Sequence, residues 1–313
     1  MEMNIFLTGA TGCIGHYVCN EIRSSFPAAN LHILVRNQKR FKMDIPNWSN
    51  VTLHEGSMDD IGKYQHILKK TDILIHIATV WGYDLDVNLR VNRDRSIEMF
   101  DALDPNRIKK IIYFSTASIL TKNNAISPAA ETEGTPYVKS KLEAYRAIKA
   151  SKWADKVITL FPTMVLGGGE NYPYSHISQG LKSIQKPIRW AKWLRIHGAF
   201  HFLHAQDIAK MVTIAMTNNS MPADTVMGNP RMTFNEAIKE IAKHYKHKLW
   251  FQFSFPKWLI HLIIFLMGRR VDRWGAHCAK HPFFEYNVHS PQDFGQNVGI
   301  PNFKSALIEL SNS

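Results

Sequence analysis

Residues 8–15 read Thr8-Gly9-Ala10-Thr11-Gly12-Cys13-Ile14-Gly15, and where they stand in the chain decides the fold. Residues 4–8 before and including Thr8 form a short apolar run, as a buried strand does, and 14–25 fit a helix. A strand that turns through glycines into a helix leaves the first N–H groups of that helix free to hold an anion. With glycines at 9, 12 and 15, the first permits the tight turn and the second lets a pyrophosphate approach the backbone. The third lets the helix pack closely on the sheet. The plain alternative is an ordinary strand–turn–helix joint. Three glycines between a strand and a helix favour nucleotide binding, through the loop as a whole, Thr11, Cys13 and Ile14 included.

Outward from this loop, strands are expected at 31–36, 51–55, 72–78, 109–116 and 157–165. Helices are expected at 59–69, capped by Ser57 or Asp59, at 86–103 and at 136–151. The run 72–78 (DILIHIA) is almost continuously apolar, as a parallel strand covered on both faces must be. This rhythm predicts an α/β fold with a doubly wound parallel sheet of the Rossmann type. After Gly167 the rhythm breaks. A strand at 200–204 and a helix at 206–216 are expected to return to the sheet, with further helices at 234–244, 256–267 and 304–310. The expected organisation is a cofactor-binding domain over 1–166 with 199–217 returning to it, and a smaller interleaved substrate lobe from 167–198 and 218–313.

The composition narrows the function classes. Of 313 residues, 45% are hydrophobic, enough for a large core and incompatible with a disordered, collagen-like or coiled-coil chain. The formal charge is +12, but Lys and Arg are scattered, with small clusters at Arg36, Lys39, Arg40, Lys42 and at Arg269, Arg270, Arg273. No zinc finger, RNP pattern or long basic tail is present, so a nucleic-acid partner is not expected. Cys13, Cys19 and Cys278 include no CxxC pair and read as reduced thiols of a cytoplasmic protein. The N-terminus has no basic region or cleavage site, so no signal peptide is expected. No HExxH occurs among the fifteen histidines, and no metal site is expected; His76 and His204 read as satisfied buried side chains.

Two further sites carry chemistry. After the second expected strand stands Arg36, where an acidic residue would grip the ribose 2′-hydroxyl of NAD. Its planar cation suits a 2′-phosphate, with Lys39 or Arg40 in reserve, so NADP is favoured over NAD. In Tyr137-Val138-Lys139-Ser140-Lys141, the tyrosine and the second lysine are four apart and share a helix face. An ammonium beside a phenol lowers its pKa and favours proton transfer at neutral pH. Tyr145 and Lys149 repeat the spacing two turns deeper, where packing or surface is the expected role. Thr116, at the end of the 109–116 strand, offers a hydroxyl to a substrate oxygen beside Tyr137.

The segments TGATGCIG, LVR, HIAT, ST, YVKSK, FPTMVLGG and FHFLHAQDIA occur in that order. Together they resemble the NAD(P)-dependent epimerase/dehydratase family, the extended short-chain dehydrogenase/reductase group. The likeness is strong through Gly167, fair through Met216 and weaker beyond, with 288–310 similar to the family's closing segment. It implies that Gly9, Gly12 and Gly15 hold the pyrophosphate and Arg36 the adenosine phosphate. It places Ala78 along the cofactor, and Pro162 and Thr163 near the nicotinamide amide. Thr116, Tyr137 and Lys141 become the catalytic set, Lys141 also binding the nicotinamide ribose, while Asp207 ties the lobes together. The chain departs from the family at Gly56-Ser57, at Ile119-Leu120-Thr121 and at Leu166-Gly167-Gly168. These changes fall more on the substrate side than on the cofactor side, and no diphosphate-binding motif is evident.

The stretch 256–270 (PKWLIHLIIFLMGRR) is too short to span a bilayer. It is expected to be buried over the substrate pocket or to form a homodimer face, with a peripheral membrane contact as the alternative. The aromatic lobe of Trp190, Trp193, Phe200, Phe202, Trp250, Phe251, Phe253 and Phe255 suits an apolar small-molecule substrate. The sequence therefore predicts a hydride-transferring oxidoreductase with Tyr137 as acid/base. The alternatives are a nucleotide-sugar epimerase/dehydratase, and a catalytically silent NADP-binding sensor or assembly factor.

Overall fold

The structure, a computed structural model, describes residues 3–43, 48, 50–184, 187–249, 251–254 and 272–311. The first half supplies β1 (Asn4–Thr8), β2 (Asn30–Val35), β3 (Val51–Glu55), β4 (Ile73–His76), β5 (Lys110–Phe114) and β6 (Val157–Pro162). The second half adds β7 (Met164–Leu166), β8 (Leu194–Arg195), β9 (Ala199–Phe200), β10 (Phe202–His204), β11 (Asp224–Met227), β12 (Met232–Thr233) and β13 (Phe253–Ser254). The central sheet has seven parallel strands in the order β11-β6-β5-β4-β1-β2-β3. The order reverses between β1 and β4, so the loops leaving these two strands open the crevice in which doubly wound sheets bind ligands.

Both faces of the sheet are covered, which explains the unbroken apolar strands. On one face, Val18, Cys19 and Ile22 of the Cys13–Ser25 helix pack with Ile208, Val212 and Ala215 of the Ala205–Thr217 helix against Ile5, Leu7 and Ile33. On the other, Met99, Phe100, Ile148 and Trp153 meet Phe6, Leu74 and Ile111. Each such fully buried side chain contributes about 1.5–3 kcal/mol. A separate cluster of Leu166, Phe200, Phe202, Ile238, Ile241, Phe303 and Leu307 forms the second-half core. Asp207, fully buried, accepts N–H bonds from Gly299 (2.6 Å) and Ile300 (3.0 Å) and so joins the Ala205–Thr217 helix to the C-terminal segment.

Several elements differ from the sequence reading. The expected helix at 86–103 is three pieces: Leu85–Leu89, a π-helical turn Arg90–Asp94, and Arg95–Asp101. Its wide turn bears Asn92, which is buried along with Asn88. The expected 59–69 helix is a 3-10 segment, Met58–Tyr64, followed by one α-turn, Gln65–Leu68, and is capped by Ser57. The 157–165 strand breaks after Pro162, and the 200–204 strand splits in two. There β10 pairs with β7 and β9 with β12, each outside the central sheet, while Leu203 and the following helix join the core against it. Residues 224–227, read as part of the substrate lobe, instead pair in parallel with β6 as the seventh strand of the sheet. The stretch 256–270 lies outside the described residues. No helix among the described residues is long and apolar enough to cross a membrane.

Candidate active site

At the end of β1 the three glycines have three different jobs. Gly9 has φ +81°, and a Cβ there would lie 2.6 Å from Ala78 N and 2.8 Å from Ile77 C, so the β1 and β4 loops touch backbone to backbone. A Cβ on Gly15 would lie 2.3 Å from Gly9 O and 2.6 Å from Ala10 Cα. Gly15 thus lets the helix close on the glycine loop itself, where the sequence reading placed it against the sheet. Gly12 is different: its Cβ would meet only Gly9 O, at 3.5 Å, and it opens the Cys13–Ser25 helix. That helix has no side-chain cap and no acidic residue in its first turn, which leaves its N-terminus ready for an anion. Thr11 is half-buried, and Ile14 packs against the core. The Cys13 thiol is pushed up to about 12 by burial and lies beside Gly167, leaving its backbone as the part suited to an anion.

Thr116, Tyr137 and Lys141 meet at the C-terminal end of β5. Thr135 caps the Pro136–Ala150 helix by accepting from Val138 N (3.3 Å), and Pro136 starts its first turn, so Tyr137 leaves at the helix mouth. The Tyr137 phenol faces the Thr116 hydroxyl and packs against the Trp81 indole, while Thr116 Oγ1 itself donates to Ser118 Oγ (3.2 Å). Both neighbours favour the phenolate, yet burial is the larger effect and pushes the phenol up to about 12. Lys141 is buried one turn on, its Nζ donating to Phe114 O (2.8 Å) and lying 3.4 Å from the Tyr113 hydroxyl. Desolvation brings its ammonium down to about 7. The expected direct lowering of the Tyr137 pKa by Lys141 is not among the influences on this phenol: the amine is tied to β5 through Phe114 O, and the neighbours acting on the phenol are Trp81 and Thr116. Beside the lysine's anchor, Ser115 Oγ is buried with no partner among the described residues.

Two aromatic groups that sequence reasoning missed complete the mouth. Trp81, 59% exposed, lies 4.6 Å centroid to centroid from Tyr137 and stacks on His176 at 4.9 Å with 14° between planes. Trp81 follows β4 in the loop after Ala78, and His176 opens the His176–Ser183 helix, 95 positions later by subtraction of these numbers. The available signal was a tryptophan just past a strand that ends in the crevice.

Beneath the site runs a buried polar chain. Thr8 Oγ1 bonds His76 Nδ1 (2.6 Å), His76 Nε2 bonds Ser96 Oγ (2.8 Å), and Ser96 donates to Asn92 O (2.9 Å). Asn92 Nδ2 donates to Ser140 Oγ (2.9 Å), and Ser140 donates to Tyr137 O (2.9 Å). Asn92 Oδ1 also receives Val80 N and the Thr79 hydroxyl, fixing the loop that carries Trp81. The π-helical turn explains why no α-helical pattern pointed to Asn92. His76 is brought down to about 3, chiefly by burial and then by the Lys141 charge. Between about 3 and 6.5 the unfolded chain then binds the proton that the folded one refuses, so stability falls as pH falls through that window. Going from neutral pH to about pH 4.5 should cost about 3 kcal/mol through His76 alone. His204, brought down to about 4 by burial, adds to the same limb. Urea unfolding at the two pH values checks this: a His76→Gln chain should show a shallower loss, and parallel losses would contradict the assignment.

The remaining predicted positions fall as follows. Arg36 is exposed just after β2, with Lys39 and Arg40 on the next 3-10 turn, all three beyond the open edge of the glycine loop's strand neighbour. Ala78 N donates to Thr8 Oγ1 at 3.3 Å, across from Gly9. Pro162 ends β6 and pairs with Met227; Thr163 Oγ1 donates to Met227 O at 2.8 Å. Tyr145 packs edge-on against Phe161 and bonds Asp224 Oδ2, away from the Tyr137 hydroxyl. His204 caps the Ala205–Thr217 helix through Gln206 N, and His201 bonds Asn229 O.

The family model for the NAD dependent epimerase/dehydratase family matches residues 5–228. The chain belongs to that family. This family member superposes on the UDP-N-acetylglucosamine 4-epimerase of Methanobrevibacter ruminantium M1 with a TM-score of 0.67, at 18% identity, over 99% of this chain and 96% of that one. Against the dTDP-glucose 4,6-dehydratase of Bacillus anthracis, solved with NAD, the TM-score is 0.66 at 14% identity, over 99% and 96%. Against the terminal R domain of the myxalamid PKS-NRPS biosynthetic pathway it is 0.74 at 15% identity, over 99% and 89%. At such identities the likeness is one of fold. No curated protein matches the chain in sequence.

Proposed function

We propose that this family member is an NAD(P)-dependent oxidoreductase, with NADP preferred, acting on the carbonyl or hydroxyl carbon of an apolar substrate. The observation that carries the reading is the grouping of Tyr137, packed on Trp81 and facing Thr116, with the buried Lys141 one turn on at the mouth of the crevice. The residues suit a dinucleotide: an open Gly12 at an uncapped helix N-terminus, and a buried lysine and an unpartnered Ser115 Oγ deeper in the crevice. When bound there, the nicotinamide supplies or accepts the hydride. The chain's residues manage the oxygen and its proton. Tyr137 donates its phenolic proton to the carbonyl oxygen in the reducing direction and takes it from the hydroxyl in the other. Thr116 Oγ1, which faces that phenol from the end of β5, orients the same oxygen. Lys141, with a pKa of about 7, offers N–H donors to the ribose hydroxyls while its anchor on Phe114 O keeps it under the ring.

The apolar substrate follows from the roof. An indole stacked on an imidazole presents a flat, largely apolar surface above Tyr137. Neither of the side chains acting on the Tyr137 phenol, Trp81 and Thr116, is a carboxylate, whereas eliminating water needs a second acid beside the first. Family membership favours the second reading, a nucleotide-sugar epimerase or dehydratase working with a cofactor it retains. NADP preference rests on Arg36, whose guanidinium suits a 2′-phosphate. Titration followed by nicotinamide fluorescence tests it. Arg36→Ala should weaken NADPH binding about tenfold and leave NADH nearly unchanged, as the loss of one charge-assisted hydrogen bond requires. A preference for NADH in the wild-type chain would overturn the NADP assignment.

A further inference from the structure

Away from the crevice, the short parallel ribbon of β8 and β13 carries an unusual surface. Phe253 N donates to Trp193 O (2.7 Å), and the Gln252 side chain bonds the carbonyls of Lys192 and Leu194. With Gln252 turned in, Phe251 and Phe253 turn out and are 55% and 63% exposed. Trp193 stacks on Phe251 at 4.7 Å, Phe251 meets Phe253 edge-on at 5.0 Å, and Trp190 nearby is 69% exposed. Large aromatics left this open and touching one another mark an interaction surface rather than scattered exposure.

The cations around them say which kind. The Arg189 guanidinium sits 5.3 Å from the Trp190 ring centre; Lys192 Nζ, 4.4 Å from that of Trp193, is buried and donates inward to Lys248 O (2.7 Å). Between Phe251 and Phe253, Gln252 borders an open cavity of about 440 Å³ that also meets Arg195, Lys239 and Glu236. Glu236 is already spent: its carboxylate accepts from Thr233 N and Thr233 Oγ1, closing the cap of the Phe234–His244 helix. Arg195 and Lys239 are both exposed, and Lys239 shares its charge with the Glu236 carboxylate one turn back. Lys243, Lys246 and Lys248 follow, also exposed, within a chain of charge +12. Indole and phenyl rings partition to the headgroup–acyl boundary, and cations beside them bind lipid phosphates.

We propose that this face, built from residues 189–195, Lys239 and 251–253, docks on an anionic lipid bilayer, the aromatics entering the interface and Arg195 and Lys239 taking lipid phosphates. It uses residues other than 256–270 and stands independently of the reading of the Tyr137 site. The full chain should sediment with vesicles of phosphatidylglycerol and phosphatidylcholine, and much less with pure phosphatidylcholine, added salt weakening the contact. Combining Phe251→Ser with Phe253→Ser should lower the vesicle partition coefficient about tenfold or more. Combining Arg195→Glu with Lys239→Glu, which leaves the aromatics in place, should lower it by a similar or larger factor on anionic vesicles only. Unchanged thermal unfolding and NADPH binding in either variant certify the fold. Equal binding by wild type and both variants would overturn the proposal. So would wild-type indifference to vesicles, including the case in which the aromatic pair of substitutions instead abolishes self-association and assigns the face to a second copy of the chain.

Discussion

Tyr137→Phe should lower turnover by about 10²–10⁴-fold while leaving cofactor binding within about twofold of wild type. The substitution removes one oxygen, the only atom on this side chain that can pass a proton. It keeps the ring that packs 4.6 Å from Trp81 and leaves the Thr135 cap and the Lys141 anchor untouched. The Tyr137 ring stays against Trp81, and Thr116 Oγ1 keeps its bonds with Ser118. Nothing in the glycine loop depends on the phenol. A large loss of rate with intact binding therefore distinguishes an acid/base from a packing residue. Unchanged turnover would remove Tyr137 from the chemistry. A cellular effect that survives the substitution would favour the sensor reading instead. The high pKa of the phenol, about 12, also sets the direction of the pH profile. The protonated form dominates at neutral pH, so reduction should proceed readily there, and oxidation should rise with pH as the phenol approaches ionisation.

The second large effect separates the three glycines. Gly9→Ala forces a side chain into a left-handed conformation and places a Cβ 2.6 Å from the Ala78 amide, with backbone on both sides and nothing flexible to yield. Gly15→Ala places a Cβ 2.3 Å from Gly9 O. Each should destabilise the fold by about 2–4 kcal/mol, the range of strained or overpacked backbone sites. Gly12→Ala meets only one atom, at an ordinary 3.5 Å, and Gly12 has φ −86°, which alanine adopts freely. It should leave unfolding free energy within about 0.5 kcal/mol of wild type. Yet it should weaken dinucleotide binding by at least about tenfold, because its methyl group occupies the approach to the helix N-terminus. Denaturant unfolding and cofactor titration of the three variants give the comparison. Equal destabilisation by all three, or undiminished binding by Gly12→Ala, would contradict this division of roles.

How much of this was legible in the sequence depended on whether the signal was local. The β1–glycine–helix joint was, because a turn, a close approach and a helix mouth all impose themselves on neighbouring residues. So were the parallel strands, whose burial on both faces writes itself as an apolar run. Tyr137 and Lys141 were readable as one helix face, and Thr116 as the end of a strand pointing to the same edge. What failed was long-range. The seventh strand, Asp224–Met227, is a short edge strand whose partner β6 lies far back in the chain, and a four-residue run carries little period of its own. Asn92 was hidden by the π-helical turn, which shifts its side chain off the α-helical face expected of it. Trp81 and His176 come from separate segments, and only the closed fold stacks them. The electrostatic expectation for Lys141 went wrong for a physical reason: a shared helix face fixes direction, but the buried amine found the nearer acceptor, Phe114 O.

The account is tested most directly by following NADPH consumption by the wild-type chain with a panel of apolar aldehydes and ketones, and separately with UDP-sugars. Net oxidation of NADPH by apolar carbonyl compounds, abolished in Tyr137→Phe, is the predicted result. Conversion of a UDP-sugar with no net consumption of NADPH, and no oxidation with any apolar carbonyl, would contradict it and assign the Tyr137 site to epimerase or dehydratase chemistry.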